Sequence, residues 1–235
     1  NETYFQNILK IDPGTVNRYC LTSLKRKEKI QLIKRKFNKE INISRDEAIK
    51  KIRALVIESM ESRLISDRPV GFYLSGGIDT GSLTSIASKV LNKKIKCFSI
   101  VDKDKRYNEE KNIDTTTRDL GCETVKIKFP NKENFLHRLT DLINYHDKPI
   151  SSLNYYTHSF IHEIVKKNNI KVLISGLGGD EKFTGYYDHF LMHLRELTKK
   201  DYKQNFDLWK KYIKPFVLNK NLRNTNLFLN KKKRD

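Results

Sequence analysis

Cysteine, proline and tryptophan are scarce: three, five and one in 235 residues. Cys20, Cys97 and Cys122 lie far apart and form no CxxC pair or Cys/His cluster, which argues against a disulfide scaffold and a zinc site. They read as thiols of a reducing, cytoplasmic compartment. Long apolar runs are also missing. The longest, such as Val70–Leu74, are strand-sized, far short of the roughly 18 consecutive apolar residues that a membrane span needs, and no leader pattern opens the chain. Acidic residues are few, 28 against 47 basic ones, leaving a net charge of +19. Such an excess raises the question of nucleic acid. It is carried by 34 lysines against 13 arginines, whereas groove reading leans on the arginine fork. A solvated basic surface is the reading adopted, and a nucleic-acid partner is not expected.

What the chain does have is enough apolar and aromatic content, 37% and 10%, to build one good-sized core. Residues 1–24 read as a short extended segment with a turn at Asp12-Pro13-Gly14-Thr15. Residues 25–43 read as a basic linker. Within it, Ile30, Ile33 and Phe37 share one face of a helix expected over 25–39. Ser44 with Glu47 makes a capping box. It opens a helix whose stripe is Ile49, Ile52, Leu55, Val56 and Met60, ending near Ser66-Asp67-Arg68-Pro69.

Strands are then expected at Val70–Leu74, Ile95–Val101, Glu123–Phe129 and Lys171–Ile174. Helices are expected at Ser82–Leu91, Asn108–Leu120, Glu133–His146, Tyr155–Asn168 and Asp180–Thr198. Short apolar strands alternating with amphipathic helices imply an α/β fold with a parallel sheet covered by helices on both faces. Ligands of such sheets bind beyond the carboxyl ends of the strands. The basic tail Asn219–Asp235 is expected to fray.

Two loops at strand ends carry the chemistry. The first is Ser75-Gly76-Gly77-Ile78-Asp79-Thr80-Gly81. Small residues at a strand-to-helix turn let backbone N–H groups approach an anion, and the helix start adds partial positive charge. Asp79 beside a phosphate would repel it unless Mg²⁺ sits between them. No GKS or GKT follows, so this is not a Walker loop, and it is not GxGxxG. A plain tight turn with a serine cap is the simpler alternative. The second loop, Ser175-Gly176-Leu177-Gly178-Gly179-Asp180-Glu181, repeats the logic. Its carboxylates could equally serve as helix caps. Two such loops are expected to converge on one metal–phosphate ligand.

The motif SGGIDTG resembles the SGGxDS pyrophosphate loop of the N-type ATP pyrophosphatases. ISGLGGDEKFTGYYDHF is similar to the SGEGxDExFxGY segment of glutamine-dependent asparagine synthetases. Phe5-Gln6-Asn7-Ile8 to Asp12-Pro13-Gly14-Thr15 resembles the end of that family's glutaminase domain. CFSI (Cys97–Ile100), YNEEKN and HDKPI fall where that family has its second strand, an acidic stretch and a DEP-like turn. The resemblance implies an adenine-nucleotide alpha-hydrolase-like fold over residues 44–200, a glutaminase remnant at 1–24 and a helical, partly frayed C-terminal part at 201–235.

It further implies a two-step ligase that uses ATP and Mg²⁺. A carboxylate attacks the α-phosphate and releases pyrophosphate; ammonia then displaces AMP. Ser75, Gly76, Gly77, Asp79 and Thr80 would hold pyrophosphate and metal. Leu74, Ile100, Ser175 and Gly176 would contact adenosine, and Asp180 would join Asp79 at the metal. The implied partners are a small carboxylate and ammonia from a glutaminase domain, and a homodimer stays open. No glutaminase cysteine stands near Asn1, so no glutamine-dependent activity is expected of residues 1–235 alone.

Several residues depart from the family pattern. Gly81 lacks the usual serine hydroxyl, and Asn108 replaces an acid. Leu177 stands where asparagine synthetases carry a glutamate tied to ammonia handling. An acceptor other than aspartate, such as a sugar acid, therefore stays open. So do a tRNA-modifying pyrophosphatase and a nucleotide-binding domain without turnover. His158 and His162 have i,i+4 metal-ligand spacing but read as a surface or core pair. Tyr186 and Tyr187 could line a pocket or pack, Asp188 and His189 could be an acid–base pair or a hydrated face, and Cys97 and Cys122 read as buried thiols.

Overall fold

The structure is a computed structural model that describes residues 2–33, 42–105, 107–129, 134–217 and 223. It divides into two compact units, residues 1–56 with 132–157, and residues 57–131 with 158–235.

In the first unit, Thr15–Tyr19 (β1) and Arg26–Gln31 (β2) form an antiparallel pair in which Val16 faces Ile30 and Arg18 faces Glu28. The helix expected over 25–39 is therefore a strand where the structure describes it; Phe37 lies outside the described residues. The cause is tertiary. Three apolar residues are too few to anchor a helix, whereas pairing with β1 satisfies the backbone directly and sets an Arg18–Glu28 ion pair of 3.0 Å across the strands. The turn at residues 12–15 holds through the Thr15 hydroxyl, which donates to the Asp12 carbonyl at 2.7 Å. The Ser44 cap also forms: the Glu47 N–H donates to Ser44 Oγ at 3.3 Å at the start of Arg45–Arg63 (α1). Its stripe is only partly used. Met60 is buried while Ile49, Ile52 and Leu55 stay exposed. Phe135–His146 (α4) starts on Asn134, whose side chain accepts from the His137 N–H.

The second unit is built on a four-stranded parallel sheet of Val70–Tyr73 (β3), Lys96–Val101 (β4), Glu123–Lys128 (β5) and Val172–Ile174 (β6). Its spatial order is β5-β4-β3-β6, so the chain reverses direction at β3. Phe72 pairs with Cys97 and with Ile174, placing these three on one face. There they join Met60, Leu74, Ala87 and Ile113 in the main core. Each large side chain buried this way contributes about 1.5–3 kcal/mol. Tyr73 points to the other face and meets His158 of Leu153–Lys167 (α5) edge-on at 5.5 Å. Helices thus cover both faces of the sheet.

Ile78–Ser85 (α2) widens into a π-helical turn at Ile86–Val90. It begins four residues before the expected Ser82, on Gly77. Glu110–Leu120 (α3) ends on Gly121 in the left-handed conformation. The helix expected over 180–198 is broken into Gly179–Phe183 (α6) and Tyr187–Glu196 (α7). Thr184, at φ 57°, turns the chain between them. Thr198 does not close α7; it caps Lys199–Tyr212 (α8), accepting from the Asp201 N–H. Leu191 and Leu194 of α7 pack with Trp209 of α8 as a satellite core.

Cys97 is fully buried and Cys122 partly so, their sulfurs 3.8 Å apart as thiols. Burial, then the neighbouring sulfur, pushes the Cys97 thiol well up, which makes it inert. Among the described residues no helix is long and apolar enough to cross a membrane. The tail expected to fray lies, apart from Arg223, outside the described residues.

Candidate functional site

Because β6 lies beside β3, the loops that follow these two strands end up side by side, at the point where strand order reverses and open parallel sheets bind ligands. The first loop is held by its own hydroxyls. Ser75 N–H donates to Thr80 Oγ1 at 3.1 Å, the two hydroxyls lie 3.0 Å apart, and Gly77 N–H donates to Ser75 Oγ at 3.2 Å. Thr84 continues the stitching with a 2.5 Å bond to the Thr80 carbonyl. Gly76 sits at φ +88°, a conformation that glycine adopts without strain. No side chain caps the first turn of α2, so the serine-cap alternative does not apply.

The second loop packs directly against the first. A Cβ on Gly176 would lie 2.9 Å from Asp79 Cβ and 3.1 Å from the Thr80 backbone nitrogen. A Cβ on Gly179 would run into the Asp79 carboxylate, and one on Gly185 into that of Asp180. Glycine is therefore required at Gly176, where the obstacles are backbone and Cβ atoms, while at Gly179 and Gly185 the absence of a side chain lets the Asp79 and Asp180 carboxylates lie directly over backbone. The two loops are thus in direct contact.

Electrostatics make this a charged corner. Burial first, then Asp180 and Glu181, hold the Asp79 carboxyl above its usual range. Glu181 is held below its range mainly by the Tyr186 hydroxyl, which donates to Glu181 Oε1 at 2.6 Å. The same bond pushes Tyr186 up to about 12. Two carboxylates that repel each other beside an uncapped helix start suit a hard cation shared with phosphate oxygens. Mg²⁺ typically takes one or two carboxylates and completes its shell with phosphate and water. The donor set fits Mg²⁺, which Asp79 and Asp180 would hold.

The other expected site residues are placed as follows. Leu74 is fully buried in the main core, backbone included, and its N–H is given to the Phe98 carbonyl at 3.0 Å, so the expected contact of Leu74 with a nucleotide is not available in this structure. Ile100, Ser175 and Gly176 are half-buried at the strand ends. Leu177 and Ile78 stand out on the two loops, 82% and 83% exposed. His158 lies against Tyr73, with His162 at 6.5 Å, and among the described residues no three His, Cys, Asp or Glu side chains gather to hold a metal. The His189 ring packs on Tyr186 at 5.2 Å and its Nδ1 has no hydrogen-bond partner, so Asp188 and His189 form no acid–base pair.

Two features were missed from sequence. One is Gly185, whose close approach to Asp180 breaks the long helix; the glycine in FTGYYDH was its signal. The other is Glu109, which lies against Gly76, with 2.9 Å from a Gly76 Cβ position to Glu109 Cβ. Its neighbour Asn108, noted as a lost acid, has its own structural role. Its amide donates to the Asp102 carbonyl at 2.7 Å and accepts from the Glu110 N–H at 2.9 Å. A carboxylate could make only the second bond.

Residues 51–235 match the model of the asparagine synthase family. Asparagine synthetase [glutamine-hydrolyzing] 1 of Bacillus subtilis is 30% identical over 63% of the chain and 23% of its own length. The amidase chry2 of Gibberella zeae is 28% identical over 78% of the chain and 30% of its length. The chain thus spans about a quarter of these curated relatives. Among solved structures, an NH3-dependent NAD synthetase from Campylobacter jejuni aligns with a TM-score of 0.38 and 14% identity, covering 80% of this chain and 93% of its own.

Proposed function

Because the chain belongs to the asparagine synthase family, we propose that it is the ATP-using part of an amide-forming ligase. A carboxylic acid attacks the α-phosphate of ATP, pyrophosphate leaves, and ammonia displaces AMP from the acyl-adenylate. The observation that carries this reading is the seating of Asp79 against Gly176 and Gly179 of the neighbouring loop, which gathers two carboxylates and an uncapped helix start at one point. Mg²⁺, when bound, supplies neutralisation of the phosphate charge.

The chain's own part is positioning. The Ser75–Thr80 stitching holds the turn rigid, Gly76 and Gly77 let its backbone approach an anion, and Asp79 and Asp180 face the cation. The ends of β4 and β6, at Ile100, Ser175 and Gly176, are proposed to receive adenosine. In this reading ammonia arrives from a glutaminase domain whose last residues are 1–24. Residues 25–43 link it to the synthetase domain at 44–200, and 201–235 belong to the C-terminal part.

The test is the nucleotide product. Incubation with Mg·ATP, ammonium and a panel of carboxylic acids is expected to yield AMP and pyrophosphate, since no lysine of the Walker type attends the loop. ADP as the main product would overturn the reading.

Leu177 bears on the acceptor. It cannot take a proton or pair with an ammonium, and it is exposed beside the loops. The presence of amidases among the relatives also favours an acceptor other than aspartate. A sugar acid is one such acceptor. Aspartate is therefore expected to be amidated poorly or not at all, and Leu177→Glu to improve it. Turnover of aspartate by the unmodified protein at about 1 s⁻¹ or more would mark Leu177 as a tolerated variation and return aspartate as the substrate.

A further inference from the structure

Amide formation from an acyl-adenylate and ammonia leaves one proton to be placed. The nitrogen–carbon bond forms, the carbon–oxygen bond to AMP breaks with its electron pair leaving on AMP, and the nitrogen gives up a proton. A carboxylate near the loops that is not already committed is the natural acceptor. Four carboxylates flank the two loops. Asp79 and Asp180 face the proposed cation. Glu181 is tied to the Tyr186 hydroxyl and held low, which makes it a weak base near neutrality.

Glu109 is the fourth. It lies against Gly76, on the β4 side of the first loop and across from the side where Leu177 stands. It is open to solvent and makes no ion pair with any described residue. The protein around it still raises its carboxyl, with burial as the sole cause. Its surroundings hold it firmly. Asn108 fixes the turn before it, and Glu110, after it, is bound to Lys126 of β5 at 3.0 Å. The Tyr73 phenol is the titratable group that it faces, raised by burial and then by the Glu109 charge. Behind Tyr73 stands His158, kept below its usual range by burial and by His162.

We propose that Glu109 is the proton acceptor for ammonia in the amide-forming half-reaction, placed by the start of α3 against the turn at Gly76. The proposal rests on the ligase reading above and deepens it.

The experiment separates the two half-reactions in the full chain, using ammonium chloride and whichever acid of a panel (aspartate, glutamate, a uronic acid, an aromatic acid) releases pyrophosphate. Glu109→Gln is expected to leave acid-dependent pyrophosphate exchange within about twofold of the parent. Amide formation, expressed per free ammonia at each pH, should fall at least about 100-fold and lose the acidic limb of its pH profile. Glu109→Asp should keep the acidic limb at a reduced rate. Amide formation by Glu109→Gln at the parent rate would overturn the proposal and leave the ligase reading standing. Equal loss of pyrophosphate exchange would also overturn it, by assigning Glu109 to the nucleotide seat. A parent protein that yields ADP, or no pyrophosphate with any acid, overturns the ligase reading and the proposal together.

Discussion

Asp79→Asn is expected to stabilise the metal-free protein while abolishing its use of ATP. In the free protein Asp79 faces Asp180 and Glu181, and burial and both charges hold its carboxyl above the usual range. A group raised in this way binds its proton more tightly folded than unfolded. Stability is therefore fullest below the ordinary carboxylate value of about 3.9 and declines as pH rises through the raised one. Asparagine removes that decline. The variant and its parent should melt alike in acid, with the variant higher by about 1–4 °C near neutrality, as expected for a repulsion of no more than about 1 kcal/mol in a partly solvated site. Mg·ATP affinity should fall at least about tenfold, equivalent to about 1.4 kcal/mol, and turnover by about 10²–10³-fold. Calorimetry at matched magnesium decides the matter. Unchanged Mg·ATP affinity would reduce Asp79 to a turn residue, and a lower melting temperature would show that its charge is compensated in the free protein.

Gly176→Ala and Gly179→Ala should fail in different ways, although the positions are three residues apart. At Gly176 the added methyl meets the Thr80 backbone nitrogen at 3.1 Å and Asp79 Cβ at 2.9 Å. Neither can rotate aside, so the two loops must separate. A loss of about 1–3 kcal/mol is expected, a fall in melting temperature of about 2–12 °C. At Gly179 the obstacle is the end of the Asp79 side chain, which can swing away without moving backbone. That variant should fold nearly as well as its parent and lose Mg·ATP binding to the same extent as Asp79→Asn. If Gly179→Ala binds Mg·ATP normally, the contact between the second loop and Asp79 has no part in the site.

The strands β3, β4 and β6 were legible as short apolar runs, and β5 as an alternation in which Val125, Ile127 and Phe129 fall on one face before Pro130. The helix cap at Ser44 was legible because its bond to the Glu47 N–H is local. The two glycine-rich loops could be recognised as a pair, since both follow such runs and both carry carboxylates. Local chemistry decides these features, and it is written in consecutive residues.

Tertiary structure decided the remainder. A period of three to four residues in KRKEKIQLIKRKF suggested a helix, but pairing with β1 outweighed a thin apolar face and made Arg26–Gln31 a strand. The apolar continuity of residues 180–198 hid a break that exists because Gly185 must lie on the Asp180 carboxylate. Thr198, by local pattern the last residue of that helix, became the cap of the next. Glu109 belonged to the acidic stretch YNEEKN, but nothing local tied it to the first loop. Its place beside Gly76 follows from β4 being the neighbour of β3, since that pairing carries the loop after β4, and with it the start of α3, to the edge of the first loop. Strand order is a choice among pairings of similar local merit, settled by which helices can cover which face. The sequence alone determined which residues carry the chemistry, and only the packed sheet decided which of them meet.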